Sequence, residues 1–183
     1  MGICARFNGA NTVLCFSLFY LKLAKEMKVI FLDIDGVLNV YGSPYCGTRD
    51  EFGDCFHKHF EDNLKWIIEQ TNAKIVISST WRMSGLSIMQ TMWEMRDLAG
   101  EVIDVTPVMN TIRGEEIAEW LRENNVDSYC IIDDDSDMLP EQKNNFVQTA
   151  NNKDHEDCVD IGYGLTRKCA QRAVEILNKT NCL

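Results

Sequence analysis

No run of Lys or Arg occurs anywhere in the 183 residues, and acidic residues outnumber basic ones 28 to 18, for a formal net charge of -10. Binding along a nucleic-acid backbone rests on basic patches, so an extended nucleic-acid track is excluded. A small basic pocket remains compatible with that charge. The acidic excess suits carboxylates gathered around a divalent cation, and equally a solvated acidic surface.

A C-x-x-C pair is also missing: Cys4, Cys15, Cys46, Cys55, Cys130, Cys158, Cys169 and Cys182 are scattered, several inside apolar segments. A chain of this size builds its own core and needs no staples, so the pattern reads as reduced thiols in a cytoplasmic setting. There is no apolar run of the roughly 20 residues that a membrane-spanning helix needs. The candidate, Val13 to Leu21, is far shorter, with only Arg6 as a basic flank and no small-residue cleavage site before Met27. Residues 1–26 therefore read as an N-terminal extension outside the core, and 27–183 as one domain. Internal repeats are absent, and 45% hydrophobic with 25% charged residues is an ordinary globular balance.

What is present from Lys28 onward is an alternation of short apolar runs with helical patterns, the signature of successive βα units around a parallel sheet. Val29-Ile30-Phe31-Leu32 is continuous and apolar, as in a strand buried on both faces, and it ends in Asp33. A turn-rich stretch runs from Tyr41 to Gly53. Phe60 to Thr71 then carries Leu64, Ile67 and Ile68 on one helical face. Lys74-Ile75-Val76-Ile77 is the second strand and ends in Ser78-Ser79-Thr80-Trp81-Arg82. Ser87 to Leu98 reads as helix, Val102-Ile103 as a short strand, and Glu115 to Glu123 as a helix with Ile117, Trp120 and Leu121 inward. Tyr129-Cys130-Ile131-Ile132 is the third informative strand and leads into Asp133-Asp134-Asp135-Ser136-Asp137. Phe146 to Thr149 and Cys158 to Ile161 read as short strands, Asn151 to Asp157 as a polar loop with a solvated His155, and Thr166 as the cap of a last helix.

Three apolar strands thus end in reactive clusters, and ligands of parallel α/β sheets bind at the carboxyl ends of strands. Asp33 and Asp35 can approach one centre when a turn follows, and Gly36 supplies it. One carboxylate attacks phosphorus to form an aspartyl-phosphate while the other shuttles the proton. Carboxylates crowded beside a phosphate need a cation among them, and all-oxygen ligation suits Mg²⁺, with Asp133 and Asp134 completing the set. The transferring phosphoryl needs donors, which a hydroxyl of Ser78 or Ser79 and the guanidinium of Arg113 supply.

Asp33-Ile34-Asp35-Gly36-Val37-Leu38-Asn39 resembles the first motif of the haloacid dehalogenase-like (HAD) superfamily. Ser79 resembles its phosphate-binding second motif, Arg113 its basic third and Asp133-Asp134 its acidic fourth, over about Met27 to Asn178. The resemblance implies a Rossmann-like three-layer sandwich with a mainly parallel central sheet. It further implies Asp33 as nucleophile and Mg²⁺ ligand, Asp35 as acid/base with its backbone carbonyl on the metal, and Asp134 as a further ligand. Ser78 directly follows the strand, yet Trp81 two positions after Ser79 resembles the register of phosphatase domains in RNA-repair and phage-type proteins and favours Ser79. Asp133, Asp134, Asp135 and Asp137 are all available to the fourth motif. The short gaps between motifs resemble members with no large cap domain, whose sites are open to large phosphorylated substrates.

An Asp-x-Asp-Gly calcium loop fails, because Val37 and Leu38 stand where it needs an acid or amide and a glycine. Cys55, His57 and His59 lack a second ligand pair for zinc. Trp66, Trp93 and Trp120 fall on apolar helix faces, and Trp81 shapes the pocket wall. The expected activity is Mg²⁺-dependent phosphomonoester hydrolysis, on a nucleotide or polynucleotide end or another phosphorylated small molecule. Phosphotransfer to an acceptor other than water uses the same residues. A phospho-ligand-binding regulatory domain is the second class, against which Asp35 speaks, since binding alone needs no proton shuttle.

Overall fold

A computed structural model of the protein describes residues 26–40, 48–149 and 163–179. The strand expected at Cys158 to Ile161, the loop holding His155, residues 1–25 and most of the turn-rich stretch after Tyr41 lie outside the described residues.

Five strands form one parallel sheet: β1 (Lys28–Leu32), β4 (Lys74–Ile77), β5 (Val102–Val105), β6 (Ser128–Asp133) and β7 (Phe146–Gln148), in the order β5-β4-β1-β6-β7. The central strands alternate their side chains between two cores, as the period-2 pleat dictates. Ile30, Leu32, Ile75, Ile77, Cys130 and Ile132 face one core. It is closed by α1 (Lys58–Thr71), α2 (Leu86–Met95) and α4 (Arg167–Leu177) through Leu64, Ile67, Met92, Trp93, Ala173 and Ile176. Val29, Phe31, Val76 and Ile131 face the other side, where α3 (Arg113–Glu123) contributes Ile117 and Trp120. Phe31 meets Trp120 edge-on at 5.3 Å. The result is the expected α/β three-layer arrangement, with β1, β4 and β6 buried on both faces.

Local boundaries follow from caps. α1 begins before Phe60 because the His57 ring Nδ1 accepts the His59 N–H and closes its first turn. Thr166 caps α4 as expected, accepting from the Cys169 N–H. α2 stops at Met95, short of the expected Leu98, where Asp97 turns to φ 52°. Between β1 and β4 the described residues hold only α1 and a small antiparallel hairpin, β2 (Arg49–Asp50) with β3 (Gly53–Asp54), which the sequence reading did not anticipate. No large cap is evident among them. No helix among the described residues is long and apolar enough to cross a membrane.

Register positions the site. Leu32 pairs with Ile77 on one side and Ile132 on the other, so Asp33, Ser78 and Asp133 leave the sheet at one level. The ladder carries one step further: the Asp33 N–H donates to the Ile132 carbonyl and the Ser78 N–H to the Leu32 carbonyl, each at 3.0 Å.

Candidate active site

After β1 the backbone folds into a tight loop in which the N–H groups of Val37, Leu38 and Asn39 all donate to the Ile34 carbonyl. Gly36 sits at φ 80°, and a Cβ there would stand 2.2 Å from Cγ of Asp134. Only glycine meets both demands, the left-handed turn and the close approach of the carboxylate. The Thr149 hydroxyl donates to the Gly36 carbonyl at 2.9 Å and ties this loop to the end of β7.

Oxygen atoms of Asp33, Asp133 and Asp134 all lie within 4.8 Å of one another. Arg113, at the first turn of α3, donates to Oδ1 of Asp33 at 3.0 Å and its Nη1 stands 3.3 Å from Oδ2 of Asp133. That Asp133 oxygen is buried and, although close to the cation, accepts no hydrogen bond among the described residues. Burial raises the Asp33 carboxyl above its ordinary value, against Arg113, Ser79 and the Ile34 N–H, which favour the anion. Asp133 is pushed up to about 8, by burial first and then by the neighbouring Asp33 charge. Burial works against the Arg113 charge, yet Asp133 and Asp33 outweigh it and hold the guanidinium above its usual range. Three clustered carboxylates supply hard oxygen donors, one of them a buried oxygen that accepts no hydrogen bond among the described residues, and such a set fits a small divalent cation.

Asp137 accepts the Arg113 N–H at 3.1 Å and so terminates α3, where negative charge suits the helix dipole. Asp135 is exposed and outside the carboxylate cluster, while Asp133 and Asp134 are in it. At the end of β4 both serines are fully buried. Ser79 lies where it favours the Asp33 anion, and its Oγ accepts the Trp81 N–H; Ser78 Oγ meets no partner among the described residues. Asp35 is exposed and does not join the cluster. Its carboxylate accepts from Asn39 Nδ2 at Oδ1 and from Trp81 Nε1 at Oδ2, each at 2.9 Å.

Arg82 and Glu116 were not singled out in the sequence and prove central. Arg82 is buried, donates to the carbonyls of Ser78 and Ser79, and pairs with Glu116, whose other oxygen accepts the Met109 N–H. This pair fastens the serine loop to α3, the helix that carries Arg113. A signal was present: Glu116 is four residues before Trp120, hence on the buried face, where a charge demands a partner. Of the residues of the zinc alternative, His57 caps α1 through its Nδ1.

Over residues 29–154 the chain matches the family described as HAD domain in Swiss Army Knife RNA repair proteins. No curated protein matches it. Since the matched stretch runs from β1 to beyond β7 and includes every residue of the constellation, the chain belongs to this family of HAD domains.

Proposed function

We propose that the protein is a Mg²⁺-dependent phosphomonoester hydrolase that works through an aspartyl-phosphate on Asp33. Family membership supports a phosphohydrolase-type function. The observation that carries the finer reading is the buried carboxylate cluster with Arg113 against Asp33.

Asp33, Asp133 and Asp134, with the backbone carbonyl of Asp35, would hold Mg²⁺, which supplies charge neutralisation between the carboxylates and the phosphoryl group. An Asp33 oxygen attacks phosphorus, the bond from phosphorus to the leaving oxygen breaks, and Asp35 gives that oxygen its proton. Water then attacks phosphorus, the acyl-phosphate bond to Asp33 breaks, and Asp35 takes the proton back. Arg113 and Ser79 present donors to the equatorial oxygens.

For the substrate, the family description and the small insert between β1 and β4 support a phosphate at a nucleotide or polynucleotide end. The net charge of -10 speaks for contacts at an end over a long track. The scattered cysteines support a reducing, cytoplasmic setting.

The test is hydrolysis of 4-nitrophenyl phosphate with Mg²⁺ and with EDTA, then a panel of nucleotides, oligonucleotide 3′- and 5′-phosphates and sugar phosphates. Mg²⁺-dependent turnover with preference for the nucleotide class is expected, together with labelled phosphate on the acid-quenched protein. Tight phosphate binding without turnover on any ester would favour the regulatory reading; transfer to an added alcohol in place of water would favour phosphotransfer.

A further inference from the structure

We propose that Trp81 is a positioning residue for Asp35: its indole N–H holds that carboxylate in the orientation from which it protonates the leaving group. The inference rests on the phosphatase reading and assigns a task to a residue outside the reacting set.

An exposed aspartate on a turn ordinarily samples several rotamers. Asp35 meets two donors, one on each carboxylate oxygen, Trp81 Nε1 and Asn39 Nδ2, each at 2.9 Å. A carboxylate offers about four lone-pair sites, so two donors leave each oxygen a site for the travelling proton. The grip restricts the group without exhausting it.

Trp81 is itself held from behind. Its ring packs on Phe56 at 5.8 Å between centroids, and the Arg96 guanidinium stands 4.5 Å from the Phe56 ring and 5.9 Å from that of Trp81. Arg96, at the end of α2, is locked in turn by two parallel bonds of 2.8 Å to Asp50 of the β2–β3 hairpin. Bidentate pairing of this kind fixes the plane of a guanidinium. Arg96 draws the Asp50 carboxyl down to about 2, so the pair stays ionised across the neutral range. The hairpin also reaches the ring directly: a Cβ on Gly53 would lie 3.7 Å from Cη2 of Trp81.

Finding a partner for an indole N–H is reason enough for a single bond. A second donor on the same carboxylate and an ion-paired clamp behind the ring go beyond that need. Ring packing alone requires no N–H, so Trp81→Phe separates the two.

The experiment compares wild type and Trp81→Phe, with Mg²⁺, on 4-nitrophenyl phosphate and on an alkyl phosphate. The aryl leaving group departs without a proton, and the alkyl one needs it. We expect the single-turnover rate of leaving-group release from the alkyl ester, the step before water attacks, to fall about 10-fold or more, a part of what general acid catalysis supplies. Single-turnover release from the aryl ester should lose far less, since Asp35 serves it only as base in the later step, and KM should hold on both. The ratio comes from one preparation and does not depend on the fraction folded. Trp81→His, which carries a ring N–H, should recover part of the alkyl turnover. In an Asp35→Ala background, Trp81→Phe should add no further loss, because the two residues act as one unit. Equal losses on both esters, no loss, or a second loss on top of Asp35→Ala overturns the inference. A gain in turnover overturns it too, by showing a latch that withdraws Asp35. A wild-type protein inactive on both esters overturns the phosphatase reading, and this one with it.

Discussion

The two ends of strands β1 and β6 obey opposite rules. At the amino end, Lys28 Nζ donates to Asn178, the Met27 N–H to Asp127, the Ser128 hydroxyl to the Leu177 carbonyl and Asn145 to the Tyr129 carbonyl. Each polar group there has a neutral or opposite-charge partner. At the carboxyl end, Asp33, Asp133 and Asp134 crowd around one arginine. Among the described residues, buried side-chain atoms without a hydrogen bond are Arg96 Nη1 at the end of α2 and, at strand ends or loops on that side, Ser78 Oγ, Arg82 Nε, Thr106 Oγ1 and Asp133 Oδ2. Orphaned buried polar atoms are costly and collect where a ligand completes them. One end of the sheet pairs its polar groups, and the other gathers carboxylates and buried polar atoms that the described residues leave unbonded.

The contrast is open to attack, most strongly through Asp33. Asp33→Asn keeps shape and the Arg113 contact, so folding should survive while turnover falls by about 10⁴-fold, as for a lost nucleophile. Steady-state rates with a melting curve check it, and an active variant would remove the carboxyl end's special status.

Next comes a buried ion pair at that end whose role is structural. Arg82 and Glu116 side chains are each 6% exposed. Arg82→Met leaves Glu116 charged and unpaired, and urea denaturation should show a loss of about 3–5 kcal/mol. Adding Glu116→Leu should return much of it, since two apolar residues need no pairing.

The pH dependence follows from Asp133. Its carboxyl goes from 3.8 when unperturbed to about 8 in the fold, so folding takes up a proton between those values. This group favours the folded state below the lower value, and its contribution is lost as pH rises through the upper one. Without divalent cation, the melting temperature should therefore decline across that window relative to Asp133→Asn. At pH 8 the substitution should stabilise by about 1–3 kcal/mol, the order of one unsatisfied buried group. Mg²⁺ should cancel the difference, because a cation then does what the proton did. Curves that stay parallel in EDTA would show that the charges are already balanced.

The smallest effect is expected at the other end. Ser128→Ala removes one bond to the Leu177 carbonyl and should cost about 1 kcal/mol with kcat unchanged. A large change in turnover there would erase the distinction between the two ends.

The strands that bear the site were legible in the sequence because burial on both faces leaves a continuous apolar run, and a charge at its end is conspicuous. The structure places Asp33, Arg113, Asp133 and Asp134 together, with Asp35 beside them on Trp81 and Asn39. The β2–β3 hairpin was not legible, since strands of two residues carry no periodicity. Nor was the partner of Trp81, which lies 46 positions away in the chain. Which acidic residue after β6 lies beside Asp33 depends on tertiary geometry that spacing does not encode.

By itself, then, the amino-acid order determined which strands are buried, where they end and which reactive residues stand at those ends, because these are local consequences of hydrophobic pattern and turn chemistry. Tertiary structure alone decided how those ends share charge: that Asp137 closes a helix while Asp133 and Asp134 face Asp33, that Arg82 binds the serine loop to α3, and that Asp35 is held by Trp81. The physical reason is that electrostatic and hydrogen-bond partnerships depend on distance in space, which the parallel register of β1, β4 and β6 sets and linear spacing does not.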